Sequence, residues 1–169
     1  MENVVFDTSA ILNCGKKGEC EFLLERLAEE NLLFTTPEVE RELRDPLFSH
    51  GTFLQKHFKI QKPKNFSIEV DGLPQLAAFL SSGELSVLLL ALELNALAVV
   101  DDMLVRKAAA TLNIRFFSTF RILADGIKRN WCNDEQCTEI VKRLHHNGFK
   151  IRPRHANESL FEYLRTDCG

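Results

Sequence analysis

Val4-Val5-Phe6 runs apolar without interruption, breaks on Asp7-Thr8-Ser9 and resumes with Ala10-Ile11-Leu12. A short apolar run closed by polar residues predicts a strand buried on both faces, feeding the start of a helix. The alternation recurs down the chain. Cys20 to Glu30 sets Phe22, Leu23, Leu24 and Leu27 on the inner face of an amphipathic helix, and Leu32 to Thr35 forms a second buried strand. Thr36-Pro37 opens a helix over 37–44, threonine as N-cap and proline at the first helical position, and Asp45-Pro46 ends it. Residues 46–74 are the least regular, with three prolines and two glycines. They are expected to form an insertion or flap, with a third strand around Phe58-Lys59-Ile60.

Beyond the flap, Pro74 to Leu80 predicts a short helix, and Ser81-Ser82-Gly83-Glu84 leads into Leu85 to Leu94, apolar nearly all round and therefore a core helix. Asn95 ends it. Leu97 to Val100 is a strand that stops on Asp101-Asp102; Met103 to Leu112 is a helix with Leu104, Ala108 and Leu112 on one face; Ile114 to Ser118 is the last strand. From Thr119 the pattern is helical, with Asn133 or Asp134 as a cap and Gly148 as a stop.

Strands alternating with helices predict the α/β class, a three-layer α/β/α sandwich on a central parallel sheet of 4–5 strands. The 169 residues, 45% apolar, fit one such core over residues 1–125, with residues 126–169 as a helical appendage packed on the same domain. No stretch approaches the roughly 20 apolar residues that cross a bilayer, and Met1-Glu2-Asn3 lacks a basic leader, so a cytoplasmic protein with no membrane partner is expected.

A net charge of −3 argues against coating nucleic acid by bulk charge, yet local runs differ. Lys56, Lys59, Lys62 and Lys64 fall in one acid-free run, and Lys142, Arg143, Lys150, Arg152 and Arg154 in another. These are the candidate contacts to a polyanion backbone, against the blander reading of solvated faces. Five cysteines, Cys14, Cys20, Cys132, Cys137 and Cys168, match no metal or redox spacing and read as mostly free thiols. A bridge between the spaced pairs is the alternative if the source is a hyperthermophile.

Chemistry is expected where acids end strands, because ligands of open α/β sheets bind beyond the carboxyl ends. Asp7 and Asp101/Asp102 stand there, and Glu42 and Glu84 lie on adjoining helices. Taken singly, each is explained by capping and by the helix dipole. Taken together, they repel one another and call for a cation. An all-carboxylate set suits Mg²⁺ or Mn²⁺, which also bridge phosphates, and so suggests phosphodiester hydrolysis.

Val5-Phe6-Asp7-Thr8-Ser9-Ala10-Ile11-Leu12, Thr36 to Asp45, Ser81 to Ala91 and Val99-Val100-Asp101-Asp102 together resemble the PIN-domain nucleases over roughly residues 3–125. The resemblance implies a metal-dependent endoribonuclease of single-stranded RNA, as in VapC-type toxins and Nob1-type ribosomal RNA processing enzymes. Val39 to Asp45 looks closer to the Nob1 type. By the family pattern the catalytic acids are Asp7, Glu42 rather than Glu40, Glu84 and Asp102. Metal ligation falls to Asp7, Glu84, Asp101 and Asp102, with Asp101 supporting and Thr8 or Ser9 orienting water. Two departures stand out: Glu84 occupies a position usually held by Asp, and Val100 replaces the usual hydroxyl.

The expected partners are therefore RNA, an antitoxin or a ribosome-assembly factor, and a second copy in a homodimer. The alternative is a catalytically weak PIN-like RNA-binding or scaffold module. A haloacid-dehalogenase-like phosphatase is disfavoured because Ser9 stands where its second Asp belongs, and a receiver domain because its early acid pair and late lysine are missing.

Overall fold

The structure, a computed structural model, describes residues 1–43, 51–64 and 78–149. Its centre is a five-stranded sheet in the order β3-β2-β1-β4-β5, formed by β1 (Glu2–Phe6), β2 (Asn31–Thr35), β3 (Lys59–Ile60), β4 (Leu97–Val99) and β5 (Phe116–Phe117). Every pairing is parallel, with Val4 opposite Leu33 on one side and Leu97 on the other. A strand covered on both faces has no polar side to show, which is why Val4, Val5 and Phe6 at the centre are fully buried. The α/β expectation is met.

Helices α1 (Thr8–Leu12), α2 (Glu21–Glu30), α3 (Pro37–Leu43), α4 (Gly51–His57), α5 (Ser82–Leu94), α6 (Met103–Thr111), α7 (Thr119–Lys128) and α8 (Asp134–His146) flank the sheet. A π-helical turn, Asn13–Lys17, continues α1. Helix α5 is the core helix the sequence implied, burying Val87, Leu88, Leu89, Leu90 and Ala91. Its start is a reciprocal capping box between Ser81 and Glu84. Its end is a left-handed Asn95, whose N–H bonds back to Leu92 while Ala96 bonds to Ala91. Gly148 closes the turn after α8 the same way at φ 85°, with Phe149 N–H on the Leu144 carbonyl.

Several boundaries moved. Within the supposed flap lie α4 and, where a third strand was expected, the edge strand β3, whose ladder Gln61 N–H extends onto the Thr35 carbonyl at 2.9 Å. Ile114 to Ser118 contributes only the two-residue β5. Helix α7 spans residue 125, and α8 buries Cys137, Ile140, Val141 and Leu144 in the common core. Cys132 and Cys137 form a disulfide, the alternative left open for the spaced pairs, while Cys14 and Cys20 are buried free thiols as expected. Most of the helix expected over 74–80, the basic positions Arg152 and Arg154, and Cys168 lie outside the described residues.

Candidate active site at the carboxyl edge of the sheet

In a parallel sheet every carboxyl end opens onto one edge, so the turns after β1 and β4 deliver their acids to the same place. Asp7 directly follows β1 and its N–H bonds to the Val99 carbonyl of β4 at 3.1 Å. Its side chain caps α1, accepting from Ala10 N–H at 2.6 Å, and the Asp101 amide donates to the same carboxylate. Only 2% of Asp7 is exposed. Burial pushes its carboxyl up to about 8, and the charges of Asp101 and Glu84 add to that rise against the two amide bonds.

Asp101 is a junction. Its Oδ1 accepts from Thr119 N–H at 2.9 Å, its Oδ2 from Thr119 Oγ1 at 2.5 Å and Asn13 Nδ2 at 2.7 Å, and the Arg106 guanidinium stands 3.6 Å from Oδ1. Three hydrogen bonds and one ion pair occupy most of a carboxylate's roughly four acceptor positions. Asp101 thus ties β4 to α6, α7 and the π-helical turn. Asp102 is exposed and caps α6 through Oδ1, bonded to Leu104 N–H at 2.7 Å and Val105 N–H at 3.3 Å.

Glu42 reaches the cluster from α3. Its carboxylate accepts from the Thr8 hydroxyl, from Gly83 N–H at 3.2 Å and from Ser81 Oγ at 3.4 Å. It thereby meets the N-terminus of α5, where the helix dipole favours negative charge. Glu84, one residue on, spends Oε2 on Ser81 N–H at 2.7 Å. Glu38, on the same helix as Glu42, points into the protein and pairs with Arg41 at 2.7 Å. No bond ties Ser9 to the acids among the described residues.

The structure thus brings Asp101 and Glu84 near enough for their charges to act on Asp7 and sets Glu42 beside Thr8 and Gly83. The capping duties foreseen for Asp7, Glu84 and Asp102 are also real, and they hold the set more open than a closed metal cage. The grouping in which three ligand atoms lie within 4.8 Å of one another is elsewhere, at Glu21, Glu25 and His57. There the Lys56 ammonium sits 2.8 Å from Glu21 and 2.9 Å from Glu25 and is itself the cation.

Two features fit a hard divalent cation at the strand-end acids. A buried carboxyl raised by neighbouring charges is relieved by positive charge. Beside it, Asn13 Oδ1 is a buried acceptor with no partner among the described residues.

The expected RNA-contacting cations are scattered. Lys56 holds Glu21 and Glu25; Lys142 pairs with Glu139 at 2.8 Å and Arg143 with Glu19 at 2.6 Å. Lys59, exposed at the start of β3, lies 6.0 Å from the Phe34 ring centre. Lys62 follows the carboxyl end of β3. The backbone of Lys64 bonds to Glu93, which is about 14 Å of helix rise from Glu84.

Asn13, Thr119 and Arg106 were missed. Asn13 was visible as a lone polar residue between Leu12 and Cys14, and Thr119 as a hydroxyl just past a strand end. Arg106, on a half-exposed helix face, carried no signal.

A parallel sheet in this strand order, flanked by helices and with acids at its carboxyl edge, defines an α/β/α sandwich domain. The chain belongs to the PIN-domain family DUF3368, whose pattern matches residues 3–163. Among solved structures it is similar to a PilT N-terminus domain protein from the hyperthermophilic archaeon Sulfolobus solfataricus P2. That likeness has a TM-score of 0.55 and 18% identity over 74% of this chain and 93% of that one, and it shows the fold. Among curated proteins none matches this sequence. No described helix is long and apolar enough to cross a membrane.

Proposed function

We propose that the protein is a cytoplasmic, metal-dependent endoribonuclease that hydrolyses phosphodiester bonds of single-stranded RNA. Asp7 carries the reading. A carboxyl held near pH 8 by burial and by two neighbouring acids is costly to the fold, and it is the kind of perturbed group that clusters at functional sites.

Asp7, Glu84 and Asp102 would hold a Mg²⁺ or Mn²⁺ ion. The caps use only Oε2 of Glu84 and Oδ1 of Asp102, and each keeps a second oxygen. Asp101, held by three hydrogen bonds and the Arg106 ion pair, supports by fixing the end of β4. A bound ion lowers the pKa of water and offsets charge that builds on the phosphate. Glu42 and Thr8, hydrogen-bonded to each other, are the pair that orients an attacking water and accepts its proton, with Ser9 beside them. Lys59 and Lys62 are the cations proposed to steer the RNA backbone to this edge.

A processing enzyme or a toxin held by an antitoxin, alone or as a homodimer, fits the same site. The caps favour a second reading, a weak or inactive RNA-binding scaffold, because Glu84 and Asp102 already have structural work. Cleavage of single-stranded RNA with Mg²⁺ or Mn²⁺ decides between them. Activity should vanish in EDTA and return with the ion, and cleavage that survives EDTA sinks the proposal.

A further inference from the structure

Asn13 is 1% exposed, yet it is a primary amide in the middle of apolar sequence. It sits at the first position of the π-helical turn, a wide turn that is rare and frequently placed at functional sites. The turn is fastened on both sides. Asn13 N–H closes α1 on the Ser9 and Ala10 carbonyls, Cys20 N–H bonds to the Cys14 carbonyl at 3.0 Å, and Cys20 Sγ lies 3.8 Å from the Asn13 carbonyl. A side chain on so fixed a backbone has little freedom. Its Nδ2 donates to Asp101 Oδ2 at 2.7 Å, while its Oδ1, equally buried, has no partner among the described residues.

A buried asparagine that merely filled the core would satisfy both ends or be replaced by leucine. One with a single end committed to a carboxylate, and an acceptor to spare beside it, is suited to a polar site. We infer that Asn13 is a positioning residue of the acid cluster: its amide fixes the Asp101 carboxylate, and its Oδ1 is the acceptor offered to water in the shell of a cation held by the neighbouring acids. The effect reaches Asp7 through Asp101, whose own amide donates to the Asp7 carboxylate. Mg²⁺ and Mn²⁺ keep much of their hydration, so an acceptor for bound water tunes affinity without ligating the ion. This rests on the metal-dependent reading above and adds a residue to it.

The test compares the full-length protein with Asn13→Leu, close in volume but without donor or acceptor, and with Asn13→Ser, which keeps a hydroxyl. Mn²⁺ uptake is read by electron paramagnetic resonance, thermal melting is followed in parallel, and the Asn13 side-chain amide protons are followed by NMR. Asn13→Leu leaves the buried Asp101 carboxylate one donor short and should melt somewhat below the parent, while in the folded protein the Mn²⁺ dissociation constant rises roughly 10–100-fold, with Asn13→Ser in between. Equal Mn²⁺ affinity in folded Asn13→Leu and the parent overturns the inference. So does rapid solvent exchange of the Asn13 amide protons in the parent, because an amide held on Asp101 exchanges slowly. Should Asn13→Leu fail to fold, Asn13→Ser with unchanged Mn²⁺ affinity is equally fatal. A parent that takes up no Mn²⁺ but shows slow amide exchange overturns the metal reading instead and leaves Asn13 as the positioner of Asp101.

Discussion

The Glu42 carboxylate rests 3.2 Å from the backbone N–H of Gly83, in space that a single methyl group would claim. A Cβ added at Gly83 would stand 2.4 Å from Glu42 Oε1 and 2.7 Å from Cδ, and those atoms end a movable side chain. Gly83→Ala should therefore expel Glu42 without harming the fold. Alanine in a helix is even favoured over glycine, by up to about 1 kcal/mol. The expected result is equal or higher thermal stability with cleavage reduced on the order of tenfold or more, the scale seen when a group supporting a metal site is moved. Unchanged cleavage would remove Glu42 from the mechanism. Glu42→Gln should lose activity likewise, and Glu40→Gln much less.

Asp7 sets a pH dependence with a definite sign. Folding raises its carboxyl from 3.8 to about 8, so between those values the native state keeps a proton that the unfolded chain gives up. Its stabilising share is complete below about pH 4 and is lost as pH rises toward 8, a swing on the order of 5 kcal/mol at most. Asp7→Asn retains the α1 cap, since asparagine caps as well as aspartate. Urea denaturation at pH 5, 7 and 9 should show the parent weakening toward high pH and Asp7→Asn nearly flat in comparison, with cleavage abolished. Parallel pH slopes in the two proteins would mean that Asp7 is ionised at neutral pH.

The hydrophobic pattern carried most of the fold because strands buried on both faces must be apolar runs, and β1, β2 and β4 are such runs. The edges were harder. β3 and β5 were expected where they lie, but each is only two residues long and Lys59 and Phe116 are exposed, so the pattern does not mark where they begin and end. The acids were legible for a similar reason: a carboxylate straight after an apolar strand is conspicuous. What holds them was less so. Asn13, Thr119 and Gly83 act through a backbone turn, a strand terminus and a missing side chain, and their partners lie 88, 18 and 41 residues away. Such pairings depend on the fold and leave no local spacing to read.

The adjacent acids Asp101 and Asp102 should separate cleanly. Asp101 is tied by Thr119, Asn13 and Arg106 with 6% of its side chain exposed, and Asp101→Asn turns one acceptor oxygen into a donor facing other donors. The expected cost is about 2–4 kcal/mol, with activity falling as a consequence. Asp102→Asn keeps the α6 cap and should change stability by less than about 0.5 kcal/mol while abolishing cleavage. Chemical denaturation alongside RNA cleavage checks both. A stability loss at Asp102 as large as that at Asp101 would mark both acids as structural.

Lys142 and Arg143 were expected to grip RNA, but the structure pairs them with Glu139 and Glu19. Arg143 also lines a cleft of about 400 Å³ with Glu19, Glu135 and Glu139. Three carboxylates around one guanidinium repel a phosphate chain more than they attract it. On a single strand each phosphate contact contributes a slope of roughly −0.7 in log K against log salt. The double variant Lys142→Gln, Arg143→Gln should therefore bind single-stranded RNA with a salt slope changed by less than about one such contact. A slope flattened by about 1.4 would show that both side chains leave their glutamates for the RNA, and would make the α8 face part of the binding surface.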